Sequence, residues 1–267
     1  MKFFRKRITW FTNPLILIIF FLVWDIYVGW SGISEFILPA PLAVIRGFVD
    51  LVSEARTWDH VGITVFEALS GFFIASVTGV ITGAILGKIR WLERTLNSYI
   101  VAAQVVPKIA LIPLFILWFG FGPESKIVIS TVLAYFPIFT NTLFGVKSVD
   151  HGHRDVMTSL NATRWQTFWN LEFPSALPAI LTGMEIGIVF AMIGAVVGEY
   201  LGGNIGLGHL AVATLAAYEV DGLFAVITLL TIVGFLMYLG VIMARRIIVP
   251  WHESVLVEQR GSGGGNA

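Results

Sequence analysis

The sequence predicts an all-α membrane protein with six transmembrane helices. Composition, the count of long apolar runs and the placement of basic residues predict it. Of 267 residues, 57% are hydrophobic and 13% charged, where a soluble domain carries about 25% charged residues. Mean hydropathy is +0.84. A surface of this composition faces lipid or other apolar helices, which excludes a soluble enzyme. Lys+Arg and Asp+Glu balance at 17 each, so no basic field draws nucleic acid. The absence of cysteine excludes disulfides, thiol nucleophiles and cysteine-ligated metals.

The apolar runs fall at 14–30, 61–87, 95–121, 126–147, 177–200 and 222–247, each near the 20 residues a span requires. Lys2, Arg5, Lys6 and Arg7 precede the first. That run reads as an uncleaved membrane helix, because Leu15–Trp30 exceeds the about 7–15 apolar residues of a signal-peptide core and no small-x-small site follows. Between the first two runs, Val44, Ile45, Phe48, Leu51 and Val52 recur at helical spacing among Arg46, Asp50, Glu54 and Arg56. The segment 33–58 therefore reads as an interfacial amphipathic helix, opened by Pro39 and Pro41.

Basic residues orient the spans. With the N-terminus inside, thirteen lie on inside segments: Lys2, Arg5, Lys6, Arg7, Lys88, Arg90, Arg94, Lys147, Arg154, Arg164, Arg245, Arg246 and Arg260. Arg46, Arg56 and Lys126 lie outside, and Lys108 lies within a span. Both termini are thus expected in the cytoplasm. The expected organisation is a basic cytoplasmic N-terminus (1–13), one transmembrane domain (14–250) and a flexible Gly/Ser-rich cytoplasmic tail (251–267).

Gly79, Gly83 and Gly87 form a small-residue stripe in the second span, and Gly183, Gly187, Gly194, Gly198 and Gly202 repeat it in the fifth. Such stripes admit a second helix backbone, within one bundle or across a subunit interface. Asp25, Glu67, Lys108, Glu185 and Glu199 are the ionisable residues in or near spans. Lys108 stands between Pro107 and Ile109 with Pro113 beyond, and broken helices at membrane depth line cavities. Rise per residue puts Lys108 about 20 Å and Glu185 about 12 Å from the cytoplasmic end. Lys108 either pairs with Glu185 or faces a pathway. Asp25, Glu67 and Glu199 lie nearer the outer face, where they are expected to be solvated or paired; Glu199 joins Lys108 and Glu185 as a candidate pathway residue. His151 and His153 lack further metal ligands at recognised spacing. Gly83-Ala84-Ile85-Leu86-Gly87-Lys88-Ile89 lacks both the spacing and the Ser/Thr of a phosphate-binding loop. No catalytic constellation, cofactor site or metal site is expected on this chain.

The loop between spans four and five is polar yet patterned for helix, with Trp165, Phe168 and Trp169 at i, i+3 and i+4 and with Pro174 and Pro178 ending it before the next span. It reads as a helix lying on lipid, or as a helix-turn-helix whose exposed aromatics anchor a soluble partner.

Asp155-Val156-Met157, Asn161, Leu171 and Phe173-Pro174 fall at the spacing of the EAA motif of ABC importer permeases. Asp stands for Glu, Val-Met for Ala-Ala, Asn for Gly and Phe for Leu; Asn suits a turn because it enters the left-handed region. Leu38-Pro39-Ala40-Pro41, Ile112-Pro113-Leu114, Trp118-Phe119-Gly120-Phe121-Gly122, Gly145-Val146-Lys147-Ser148-Val149-Asp150, Ala162 to Phe168, Leu177-Pro178-Ala179-Ile180-Leu181-Thr182-Gly183 and Gly206-Leu207-Gly208 also resemble the nitrate/sulfonate/taurine/bicarbonate-type permeases. The likeness runs over residues 36–250.

The resemblance implies a type I ABC importer permease fold and a homodimer. It implies cytoplasmic coupling helices at 154–174, seated on separate ATPase subunits that bind ATP and magnesium. A periplasmic or lipid-anchored solute-binding protein would deliver a small solute to this bacterial inner-membrane permease. For that solute the resemblance allows nitrate, sulfonates, taurine, other small anions such as bicarbonate, or a thiamine-pyrimidine precursor, with an anion favoured. The coupling residues it implies are Asp155, Leu160, Asn161, Ala162, Thr163, Arg164, Trp165, Phe168 and Pro174, with Asp155 near the start of the first of two short helices. The alternatives are a secondary transporter driven by an ion gradient through Lys108, Glu185 or Glu199, and a structural subunit without transport.

Overall fold

A computed structural model describes residues 2–250, with side chains from Leu15 onward. The expected tail at 251–267 lies outside the described residues. The chain forms helices α1 (Lys2–Ser31), α2 (Pro41–Ser53), α3 (Ala55–Lys88), α4 (Arg90–Val105), α5 (Ile112–Phe119), α6 (Pro123–Lys147), α7 (His151–Ser159), α8 (Arg164–Thr167), α9 (Phe173–Gly202), α10 (Leu207–Ala216) and α11 (Val220–Ile248). Two compact units divide it: the chain to His60 with Leu210–Thr231, and Val61–His209 with the chain from Ile232.

In the first unit, Pro41 occupies the first turn of α2, where its missing N–H costs nothing. The interfacial helix is shorter than the expected 33–58. It ends at Ser53 because Glu54 is extended, and Ala55–Trp58 open α3.

Among the described residues, four helices are long and apolar enough to cross a membrane: α3, α6, the continuous 164–202 helix that contains α9, and α11. The stretch expected as one span at 95–121 is instead a pair of helices bent by 77°. Pro107 stops α4, Lys108–Leu111 form a 3-10 turn, and α5 begins with Pro113 in its first turn. Counting the pair as one span gives five. The expected span at 14–30 lies within α1, where Leu15–Ser31, the part described with side chains, is a shorter apolar helix.

The second unit is built around α6, which lies between the two glycine stripes. A Cβ on Gly83 would stand 2.7 Å from the Phe139 carbonyl, and one on Gly194 would stand 2.6 Å from the Ser130 Cα. Only glycine permits this approach, and dense backbone packing is what holds membrane helices together. The stripes therefore pack within one chain. Ala75, Ala134, Ile138 and Ala191 form the dry centre, and Val146, Ala176 and Ile180 close it at the end bearing Lys88 and Lys147.

Candidate functional site

At that end, α7, α8 and the turn between them make a knob. Asp150 caps α7 through Oδ1, which accepts from the Gly152 N–H at 2.6 Å. Asp155 therefore sits in mid-helix, not near the helix start, since the chain leaves α6 at Ser148 and the first carboxylate after that break takes the cap. Helix α7 ends in a Schellman turn. Ala162 N–H donates to the Met157 carbonyl and Asn161 N–H to that of Thr158, while Asn161 adopts φ 54°. Thr163 then starts α8 with a capping box. Its hydroxyl accepts from Gln166 N–H at 3.3 Å, and its own N–H donates to Gln166 Oε1 at 2.8 Å.

Neither Pro174 nor Pro178 ends this helix, in contrast to the sequence expectation. α8 runs through one wide turn at Phe168–Glu172 into α9, with Pro174 in the first turn of α9 and Pro178 inside it. Trp165, Phe168 and Trp169 form a ring ladder with centroids 5.4–6.5 Å apart. Val156, Leu160, Trp165 and Trp169 are exposed. The knob thus presents apolar side chains on a doubly capped, rigid turn.

The residues at its base had no sequence signal. Glu172 is buried, with Oε1 3.4 Å from Arg154 Nε and Oε2 3.5 Å from Lys88 Nζ. Lys147 pairs with Glu93 at 2.6 Å.

The pathway candidates separate. Glu185 Oε1 accepts from Arg245 Nη1 at 2.9 Å, so the expected Lys108–Glu185 pair does not form. Lys108 Nζ donates to the Gln104 carbonyl at 2.9 Å and lies 4.5 Å from the Phe136 ring centre. It borders a cavity of about 390 Å³ with Gln104, Phe136, Thr140, Asn141 and Phe190. Among the described residues lining it, none is acidic.

At the opposite end, Glu199 and Glu67 are 1% and 2% exposed, so of the two expected alternatives, solvated or paired, solvation does not hold. Glu199 accepts from the Thr64 hydroxyl and from Gly208 N–H, each at 2.6 Å. Lys126, expected on an outside segment, is 2% exposed and donates to the carbonyls of Phe121, Gly122 and Gly202 at 2.5–3.1 Å. Asp25 is exposed.

A helical membrane bundle with a broken span, and a cation beside a cavity at the break, has the architecture of a transport component. The chain belongs to the family of binding-protein-dependent transport system inner membrane components, whose model matches residues 75–253. It is 33% identical to the formylaminopyrimidine transport permease protein ThiX of Halalkalibacterium halodurans over 90% of this chain and 95% of that one. It is 30% identical to the taurine transport system permease protein TauC of Escherichia coli over 87% and 86%. An inward-facing structure of the MetNI methionine ABC transporter matches at TM-score 0.58 and 22% identity, covering 81% of this chain and 99% of that one. The chain is thus a permease component of an ABC importer, and family membership removes the secondary-transporter and purely structural alternatives.

Proposed function

We propose that two copies of this chain form the importer's pathway and that each seats its knob in a cleft of a separate ATPase subunit. Six spans cross the inner membrane: α1, α3, the bent α4–α5 pair, α6, α9 and α11. Both termini and the knob are cytoplasmic, in line with the basic-residue count. ATP and magnesium act on the partner, and this chain holds no cofactor. A solute-binding protein, periplasmic or lipid-anchored, delivers the solute at the opposite end.

The observation that supports this reading is the knob itself. Its exposed Val156, Leu160, Trp165 and Trp169 stand on a capped turn at Asn161–Thr163, and exposed aromatics on a rigid scaffold are anchors for a protein partner. ATPase closure would move the knob, and the rigid helices continuous with it would switch the bundle between inward- and outward-facing packings. Asp155, Leu160, Asn161, Ala162, Thr163, Arg164, Trp165 and Phe168 make or frame the contact, while Pro174 lies behind it in the first turn of α9.

For the solute, the Lys108 cation, which has no ion-pair partner among the described residues and borders a cavity whose described lining holds no acidic side chain, favours a small anion. Relatives named for taurine, nitrate and formylaminopyrimidine fit a small polar solute. Glu185 and Glu199, each satisfied by a partner within the bundle, serve its architecture.

Ala162→Glu tests the knob. Burying an unpaired charge in a cleft costs several kcal/mol, so co-purification of the ATPase and ATP-driven uptake should fall at least tenfold with an unchanged melting temperature. Undiminished docking and uptake would place the contact elsewhere.

A further inference from the structure

The helix from Arg164 to Gly202 carries one wide turn, at Phe168–Glu172, closed by Phe173 N–H donating to the Phe168 carbonyl five residues back. A turn of this kind holds one residue more than an α-turn. Relaxing it to α would rotate everything ahead of it by about 100°. Trp165 and the Asn161 turn would then point elsewhere. Something must hold the extra residue in place.

We infer that Glu172 is the positioning residue that holds this wide turn and so sets the aim of the knob; the inference rests on the coupling role proposed above. Glu172 ends the turn and is 7% exposed. Its two oxygens face cations from two other elements, Lys88 at the end of α3 and Arg154 in α7. Lys88 spans the turn. Its Nζ also donates to the Arg164 carbonyl at 3.1 Å and lies 4.7 Å from the Phe168 ring centre, so one ammonium touches residues before, within and at the end of the turn. Arg154 adds a third support, with Nη2 donating to the Val146 carbonyl at 3.1 Å in the last turn of α6. A single carboxylate thereby ties the two helices of the knob together through Arg154 of α7, and ties them to α3 directly and to α6 through Arg154. Without its charge, two cations face each other across the base of the knob and the tie that opposes relaxation of the turn is lost.

The cysteine-free chain makes the test direct. Spin labels at Thr158→Cys in α7 and Trp91→Cys in α4 report the knob's position against the bundle in the purified permease–ATPase complex. The otherwise unaltered labelled chain should give one narrow distance distribution. Glu172→Gln should make it at least twice as wide, or shift it, in a complex that remains assembled, while Glu172→Asp should restore the narrow form. A Glu172→Gln distribution identical to that of the parent overturns the inference. So does broadening that Glu172→Asp fails to restore, because packing and not charge would then be at work. If Glu172→Gln does not assemble, Lys88→Gln removes one of the two ion pairs at a partly exposed residue and is read in the same way. Failure of the unaltered chain to co-purify with an ATPase would instead overturn the coupling role itself, a separate outcome.

Discussion

The two ends of the second unit both bury charge, but they satisfy it differently. At one end Lys126 spends its three N–H groups on neutral backbone carbonyls, and Glu199 takes a hydroxyl and an amide at 2.6 Å. At the other, Glu172 meets Lys88 and Arg154 as ion pairs of 3.4–3.5 Å, and both cations are partly exposed. Short hydrogen bonds to backbone fix a geometry, because each partner is itself locked in a helix or tight turn. Longer ion pairs between flexible side chains tolerate small displacements. The difference separates a clamp from a joint. The knob sits at the joint, where motion supplied by a partner has to enter the bundle.

The largest effect should come from breaking the clamp. Lys126→Met would strip three carbonyls of their donor and leave the Glu199 and Glu67 carboxyls without the nearby cation. Removing one partner from a buried charge cluster costs about 3–5 kcal/mol. The variant should lose most of its folded yield in detergent, as read by size-exclusion monodispersity and thermal melting. A melting temperature within a degree or two of the parent would make the two ends equivalent and end the distinction.

Next is the packing that carries strain between the ends. Gly194→Leu would drive a side chain into Ser130 Cα and the Ile129 backbone, and overpacking costs about 1–3 kcal/mol. Backbone on the receiving side cannot rotate away, so the upper part of that range is expected. The measurement is thermal melting beside Gly234→Leu, where a Cβ meets only Met192 Cγ at 3.6 Å and should cost much less.

Much of this was legible in the sequence, and the rest was hidden for definite reasons. Apolar length exposed α3, α6, α9 and α11, since spanning a bilayer is a one-dimensional requirement. The Pro107–Pro113 pair pointed to the break near Lys108, because a missing N–H is a local property. The family spacing marked the turn at Asn161. Burial of Glu199 was not legible: its hydroxyl partner Thr64 lies 135 positions away, and depth along a helix does not say which neighbours converge. Arg245 captures Glu185 from 60 positions away for the same reason. The wide turn at Phe168–Glu172 has no compositional signature, so nothing in the sequence singled out Glu172.

Lys108 lies between the two regimes, held by one carbonyl and one aromatic face. If it serves the pathway, Lys108→Met should lower uptake at least tenfold with little change in melting temperature, and Lys108→Arg should retain part of the uptake. If it is a second clamp, melting should fall and uptake should fall only in proportion. Normal uptake with normal melting would remove Lys108 from both roles.

The smallest effect, and the finest probe of the joint, is at Asn161. Its φ of 54° lies in the left-handed region, where a Cβ crowds the following carbonyl at a cost of about 1–2 kcal/mol for most residues. Asn tolerates the region, and glycine enters it freely. Asn161→Gly should therefore leave melting and ATPase docking within error of the parent. Asn161→Val, β-branched and poorly suited to positive φ, should loosen the Schellman turn that aims Leu160 and Ala162. Because the turn lies at the exposed tip, beyond the Glu172 base, melting of the bundle should shift by no more than a few degrees. Docking of the ATPase should weaken several-fold. A Val variant that docks normally would show that the partner reads the helices on either side of the turn and not the turn itself. Equal losses in melting and docking would mean the tip is built into the bundle's stability, and the contrast between clamp and joint would then have to be drawn further inside the molecule.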